Sequence, residues 1–274
     1  MRASAPSRQP TRIAVVVLEN TEYGDIIGNR SAPYINSLAR RYVLATRYFG
    51  IRHPSLPNYL ALLGGSTFGI DDDCDDCSVR GASLVDQLDA AGISWRAYME
   101  GMPSPCSQAA SVGEYTKHHN PFVYFDNVVS SAARCARKVV PLSLLTRDLR
   151  SGALPRFVWI TPDKCHDMHD CSAAVADRFL RRQLTPLLGA LGRNGVLFLT
   201  WDEGTSNRGC CSGASGGHIA TIVAGGLVRH GFRFRRNADH YSILKTIEDL
   251  WHMPRLRNAR CVCAPSLAGA LRSR

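Results

Sequence analysis

The residues in this chain best suited to chemistry are a serine set between two prolines and three short groups of acids and histidines. Ser55 lies in IRHPSLPNYLALL, from Ile51 to Leu63. Pro57 and Asn58 followed by an apolar run read as the first turn of a helix, because proline fits where an amide has no partner within the helix. That puts the Ser55 hydroxyl at or just before a helix N-terminus. Free amides and the positive end of the helix dipole there can seat an anion such as phosphate. A hydroxyl beside an anion seat can act as a nucleophile, although serine before a helix more often serves as a plain N-cap.

The three polar groups are Glu19–Asn20, Asp163 with His166 to Asp170, and Asp202–Glu203, and each follows a short apolar run. In open α/β sheets the ligand crevice lies at the carboxyl ends of the strands. If IAVVVL (13–18), FVWI (157–160) and VLFLT (196–200) are parallel neighbours, these side chains converge on one sheet edge beside Ser55. Clustered carboxylates repel one another unless a positive charge sits among them, and a divalent metal ion is the usual solution. Carboxylate, amide and hydroxyl oxygens suit Mg²⁺, Ca²⁺ or Mn²⁺, whereas imidazoles from His53, His169 or His240 shift the preference toward Zn²⁺ or iron. A metal touching the Ser55 hydroxyl would lower its pKa and hold phosphate oxygens.

The elements that must position these residues are legible from periodicity. Fully apolar, β-branched runs read as central strands of a parallel sheet, buried on both faces. Ala32 to Arg41 reads as a surface helix with a stripe of Tyr34, Ile35, Leu38 and Ala39, and Tyr48 to Arg52 as a strand feeding the Ser55 turn. Ser83 to Ala91 and Val175 to Leu191 read as helices, with Ile93 to Met99 and Ile219 to Val223 as strands. Asp239 to Leu250 closes the domain as a helix with His240 at its start. This βαβ rhythm predicts an α/β fold in one domain, residues 13–274, after a polar and mobile lead-in over 1–12. Residues 101–142 lack clear periodicity and are expected to make an irregular excursion over the sheet edge. The aspartates of 64–80 lack EF-hand spacing and read as an ordinary acidic loop. Trp95, Trp159 and Trp251 are expected in the core, and His166, His230 and His252 in structural or surface roles.

Composition sets the outer bounds. The chain has 274 residues, 45% hydrophobic and 20% charged, which is ordinary globular usage. No apolar run is long enough to span a bilayer. A net charge of +10 and a pI near 9.3 favour anionic partners. The basic residues are scattered apart from Arg229 to Arg236 and Arg255 to Arg260, which read as solvated surface, so nucleic acid is not expected. Ten cysteines is a high, even number. Only Cys74 and Cys77 have CxxC form, so a zinc ribbon is disfavoured and disulfides in an oxidising compartment account better for the count. A bond between Cys165 and Cys171 would stiffen the turn they bracket. The first residues, MRASAPSRQPTR, lack the apolar core of an export signal. A secreted or cell-envelope protein is the expectation, with a cytoplasmic protein of reduced thiols as the alternative.

The segments VVVLEN, SAPYINSLA, HPSLPNYLALLGGSTFG, KHHNPFVYFDN, DMHD, LTWDEG and DHYSILKTIEDLWHMP together resemble the phosphoesterase family within the alkaline-phosphatase superfamily. That family groups bacterial phospholipases C with secreted acid phosphatases, and the chain is most similar to the short acid phosphatases. The resemblance implies an alkaline-phosphatase-like three-layer sandwich, with a mostly parallel central sheet flanked by helices. It implies Glu19, Asn20, Asp202 and Glu203 as metal ligands, with Ser55 as both ligand and nucleophile. His119 resembles the histidine that contacts phosphate or protonates the leaving group, with His53 beside it in the catalytic set. Asn58, His118, His169 and His240 match substrate-side positions, and Asp170 a further polar one. Two segments depart from the larger relatives. Gly217 to Ala220 stands where they carry arginine before Val-Pro, and Thr21 to Gly24 where phospholipases C carry Arg-Ser-Phe-Asp. The implied activity is metal-dependent phosphate monoester hydrolysis through a phosphoserine, on a phosphorylated small molecule or lipid head group. A phospholipase-C-type phosphodiesterase and a basic non-catalytic binding protein are the alternatives.

Overall fold

The computed structural model describes residues 9 to 211 and 213 to 272. Its strands are β1 (Arg12–Leu18), β2 (Val43–Phe49), β3 (Trp95–Met99), β4 (Ser111–Val112), β5 (Tyr115–Thr116), β6 (Val139–Pro141), β7 (Phe157–Thr161), β8 (Gly195–Trp201), β9 (His218–Ala224), β10 (Arg233–Phe234) and β11 (Ala238–Asp239). The helices are α1 (Tyr23–Ile26), α2 (Pro33–Arg41), α3 (Ser55–Gly64), α4 (Leu84–Ala90), α5 (Asp126–Val129), α6 (Ala132–Lys138), α7 (Ser143–Arg150), α8 (Ala173–Leu191) and α9 (His240–Leu250). The main sheet runs β10-β2-β9-β8-β1-β7-β3-β6, with β11 also pairing to β2. Every pairing in it is parallel except those of β9, which runs antiparallel to both β8 and β2. This is the mostly parallel, helix-flanked sheet expected from the alternation of strands and helices.

The core follows from the apolar runs. Ile13 to Leu18 of β1 are fully buried between β8 and β7, because a strand covered on both faces offers no position to water. Each such side chain removed from water contributes on the order of 2 kcal/mol. Helix α3 is buried along its whole length and lies against α9. Helix α2 lies against α8, whose Asp177 accepts the Tyr34 and Ile35 amides at 3.1 and 2.8 Å. A carboxylate there satisfies donors that the first turn leaves open. Trp95, Trp159 and Trp251 are all in the core.

Three expectations shift. The strand before Ser55 is Val43–Phe49 rather than Tyr48 to Arg52, because Asn58 Oδ1 takes the Ile51 and Arg52 amides at 2.7 and 3.2 Å and turns the chain there. Of the mobile lead-in, residues 1–8 lie outside the described residues, but Pro10 is buried and its carbonyl accepts Trp251 Nε1 at 3.0 Å. Residues 101–142 are built from short pieces: the β4–β5 hairpin, 3₁₀ turns over Lys117–His119 and Pro121–Tyr124, α5, α6 and the edge strand β6. None is long enough to show a period. Phe122 to Phe125 nevertheless bury fully or nearly so, and Cys106 and Cys135 are bonded.

Candidate active site

Strands β8, β1 and β7 are adjacent and parallel, so their carboxyl ends lie side by side. Leu18 is in register with Trp201, which sets Glu19 beside Asp202. The Asp202 amide donates to the Leu18 carbonyl at 2.8 Å, and the Glu19 amide to the Asp167 carbonyl at 3.0 Å. The three polar strand ends therefore meet at one edge. Gly50, just after β2, allows the approach: a Cβ there would lie 2.5 Å from the Gly216 carbonyl and 2.9 Å from that of Asp202.

Ser55 is the first residue of α3 and is buried. Its hydroxyl donates to Glu19 Oε2 at 2.9 Å. One turn later, the Tyr59 hydroxyl donates to Glu19 Oε1 at 2.7 Å. His119, on the 3₁₀ turn 117–119, brings Nε2 to 3.2 Å from Glu19 Oε1 and Nδ1 to 3.2 Å from Asp167 Oδ2. Neither His119 Nε2 nor Asp167 Oδ2 is aligned for a hydrogen bond, and both are buried without a partner. Glu19, His119 and Asp167 each present an atom within 4.8 Å of the others, a spacing that could hold a metal ion.

On the other side of Glu19, Asp202 Oδ1 accepts the Asn20 and Glu203 amides at 3.1 and 2.6 Å, while Oδ2 is buried with no hydrogen-bond partner among the described residues. Asn20 adopts φ 46°, the left-handed region asparagine tolerates, and its side chain reaches Glu19 Oε2 at 3.4 Å. Glu203 Oε2 takes His53 Nδ1 at 2.9 Å and Asn58 Nδ2 at 3.3 Å. His53 Nε2 meets the Ser206 carbonyl at 3.1 Å.

The charge state of this cluster is unusual. Burial first, then the charges of Asp202 and Asp167, raise Glu19 well above the carboxylate range. Burial pushes Asp202 up to about 7, Asp167 to about 8 and Glu203 to about 10. It also drives His119 down to about 3, so that imidazole is neutral. Among the described residues no lysine or arginine pairs with any of these four acids. Buried acids without a cation, with two orphaned carboxylate oxygens and an orphaned imidazole nitrogen, fit a divalent metal bound by oxygen and nitrogen donors. Glu19, His119, Asp167 and Asp202 present such donors, and Ser55, Asn20 and Glu203 adjoin them.

Several expected residues take other places. Asn58 is fully buried, its Oδ1 taking the Ile51 amide and its Nδ2 donating to the Arg52 and Pro54 carbonyls and to Glu203. His240 is also fully buried, with Nε2 against the Asp202 backbone carbonyl. His53 braces Glu203, and the Ser55 hydroxyl donates to Glu19 rather than to His53. His118 stacks edge-on against His119 at 4.6 Å and hydrogen-bonds Thr116 Oγ1 at 2.9 Å. His169 is 41% exposed and bonds Asp170 Oδ1 through Nδ1 at 2.6 Å. His119 faces carboxylates on both sides. Asp163 joins Glu100 and His166 in a separate cluster, with His166 Nδ1 at 3.0 Å from Glu100 Oε2. Sequence reasoning counted Asp167 within the 166–170 group without giving it a role of its own, and it passed over Tyr59. The signal for Tyr59 was its i+4 spacing from Ser55, and for Asp167 its place in DMHD.

The ten cysteines form five bonded pairs, 74–77, 106–135, 165–171, 210–211 and 261–263. The bond expected across the DMHD turn is among them, and the set is consistent with an extracellular protein. No helix among the described residues is long and apolar enough to cross a membrane.

Residues 27–254 match the Phosphoesterase family model. Over 257 residues the chain is 35% identical to the phosphatidylinositol-3-phosphatase of Mycobacterium tuberculosis, covering 92% of this chain and 81% of that protein. It is 31% identical to a probable acid phosphatase of Kluyveromyces lactis, covering 89% of this chain and 59% of that one, so it spans about three fifths of the yeast protein. Among solved structures, an alkaline phosphatase superfamily protein from Vibrio parahaemolyticus superposes with a TM-score of 0.61 at 10% identity, over 93% of this chain and 71% of that one. That likeness shows the alkaline-phosphatase-like fold.

Proposed function

The chain belongs to the Phosphoesterase family and is a phosphoric ester hydrolase, and within that family we propose metal-dependent hydrolysis of phosphate monoesters through a phosphoserine on Ser55. The observation that carries this reading is the Ser55 hydroxyl, buried at the first turn of α3 and donating to Glu19 at 2.9 Å inside a cluster of acids that no lysine or arginine among the described residues pairs with. The names of the two relatives, an inositol-lipid phosphatase and an acid phosphatase, support a phosphorylated small molecule or lipid head group as substrate. Five disulfides support export.

Glu19, His119, Asp167 and Asp202 would hold the metal, with Asn20, Ser55 and Glu203 beside them. When bound, a divalent ion supplies charge neutralisation for the phosphoryl oxygens and lowers the pKa of the serine hydroxyl. The remaining work belongs to the chain. Glu19 Oε2 holds the Ser55 hydrogen and fixes the direction of the Oγ lone pairs. Tyr59 and His119 fix Glu19 in turn. The N-terminus of α3 favours the anion that Ser55 attacks. Ser55 Oγ bonds to phosphorus as the bond to the ester oxygen breaks, the Ser55 proton passes to Glu19 Oε2, its hydrogen-bond acceptor at 2.9 Å, and His169, held by Asp170 with its ring 6.3 Å from that of His119, gives the leaving oxygen its proton. Water then cleaves the phosphoserine and releases inorganic phosphate. Phosphoryl transfer of this kind rests on positioning and electrostatics rather than on covalent help from many groups.

The test is to quench the protein in acid during turnover of p-nitrophenyl phosphate and map the phosphorylated peptide. We expect the phosphoryl group on the peptide carrying Ser55, and faster cleavage of p-nitrophenyl phosphate than of bis-p-nitrophenyl phosphate. A phosphorylated histidine, or turnover with no labelled peptide under any quench, would remove the serine mechanism. Faster diester cleavage would move the activity to the phospholipase C type.

A further inference from the structure

The acidic loop after α3 places a carboxylate on the first turn of the helix that carries the nucleophile. Asp73 Oδ1 accepts the Leu56 amide at 2.8 Å. Leu56 follows Ser55 directly, so this amide is one of the open donors at the positive end of a ten-residue helix. Donors at such a terminus suit an anion's oxygen.

Asp73 faces the site rather than solvent alone. It is half-buried, whereas Asp71, Asp72, Asp75 and Asp76 around it are exposed. Its charge is felt by Glu203, whose pKa is raised first by burial, then by Asp202 and Asp73, and by His118 and His119, where it opposes the lowering that burial causes.

The loop is held in that pose from two sides. Cys74 and Cys77 are bonded across it. The Cys74 carbonyl accepts the Tyr124 hydroxyl at 2.9 Å, and the Asp75 carbonyl accepts Lys117 Nζ. Lys117 is itself buried, with its ammonium 4.7 Å over the Tyr124 ring. The turn Lys117–His119 thus anchors the loop and presents His119 at once.

We propose that Asp73 is an internal anion that occupies the phosphate seat at the α3 N-terminus and sets the affinity of the site for phosphate. The inference rests on the phosphoesterase reading of Ser55. A substrate phosphate must displace the Asp73 carboxylate from the Leu56 amide and accept its charge nearby, so every phosphate ligand, product included, binds more weakly than the helix terminus alone would allow. The acidic loop is therefore a determinant of KM and of product inhibition.

The experiment is titration calorimetry of inorganic phosphate into wild-type protein, Asp73→Asn, Asp73→Ala and the exposed-loop control Asp76→Asn, each with the divalent ion that supports turnover, alongside phosphate inhibition of p-nitrophenyl phosphate hydrolysis. Removing one opposing charge and one competing charged hydrogen bond should tighten phosphate about tenfold or more in both Asp73 variants. Asp76→Asn should match wild type. Asp73→Ala guards against a new amide contact in Asp73→Asn, and an unchanged melting temperature shows that the fold is kept. Phosphate binding that is unchanged or weaker in folded Asp73 variants overturns the proposal while leaving the phosphatase reading intact. Absence of both phosphate binding and turnover in every protein overturns the two together. Equal tightening in Asp76→Asn would show a general effect of net charge and also overturn it.

Discussion

At Ser55 the hydroxyl hydrogen lies on Glu19, so alanine at this position removes the nucleophile while leaving the acids in place. Ser55→Ala should lower kcat on p-nitrophenyl phosphate by on the order of 10³-fold or more, with metal content unchanged by elemental assay. Retention of more than a small fraction of turnover would point to direct attack by water. Asp167 gives the companion prediction at this scale. Its Oδ2 is buried, lacks a hydrogen bond and sits 3.2 Å from His119 Nδ1. Asp167→Asn should weaken divalent metal affinity by about 10- to 100-fold, read by competition with a chromophoric chelator. Unchanged affinity would take Asp167 out of the donor set. Ser55, Glu19 and the Asp202–Glu203 pair were legible in sequence because each ends an apolar run or opens a helix. Asp167 was not, since DMHD offers three polar residues within four positions and only the path of the turn decides that Asp167 points inward while His169 and Asp170 point out. Tyr59 was hidden by its apolar neighbours in LPNYLALL.

Elements bring those residues into register, and their closest tolerance is at Gly50. There the end of β2 passes the Asp202 backbone and the Gly216 carbonyl with no room for a Cβ. Gly50→Ala should destabilise the protein by about 1–3 kcal/mol and lower kcat by moving the Asp202–Glu203 turn. Calorimetry and turnover measured together check this, and a stable variant of full activity would show that the approach is not needed. The same stretch shows why the strand before Ser55 was misplaced in sequence: Ile51 looks like strand, but its amide turns to Asn58. Asn58 therefore serves the backbone that delivers Ser55, although its neighbours in the motif suggested a substrate contact. His240 is the parallel case, since the α9 N-terminus lays its ring on the Asp202 carbonyl. Residues near a site in a sequence motif can thus hold its frame, and hydrogen-bond geometry is what shows that role.

For the whole molecule, the basic surplus and the buried acids pull in different directions. Much of the Arg255 to Arg260 cluster is engaged internally: Arg255 pairs with Asp249 at 2.8 Å, and Arg257 donates to the Gly64 and Ala82 carbonyls at 2.8 and 2.7 Å. The acids dominate the pH response. Folding raises Asp202 and Asp167 from ordinary carboxylate values to about 7 and about 8, chiefly by burial, so the folded state holds protons that the unfolded chain releases. Their contribution is fully present below about pH 4 and is lost as pH rises toward 8. Metal-free protein should therefore melt at a lower temperature at pH 8 than at pH 5, and a divalent ion, which competes with those protons, should stabilise it most at the upper end. A melting temperature that rises with pH in the metal-free protein would contradict the buried-acid account.

The central claim, that a metal among these acids and the Ser55 hydroxyl together cleave a phosphate monoester, is tested most directly by one assay. Hydrolysis of p-nitrophenyl phosphate is followed before chelation, after chelation, and after single divalent ions are added back. The account predicts turnover that vanishes with the chelator and returns with a divalent ion. Full turnover in protein shown by elemental assay to hold no metal would contradict it.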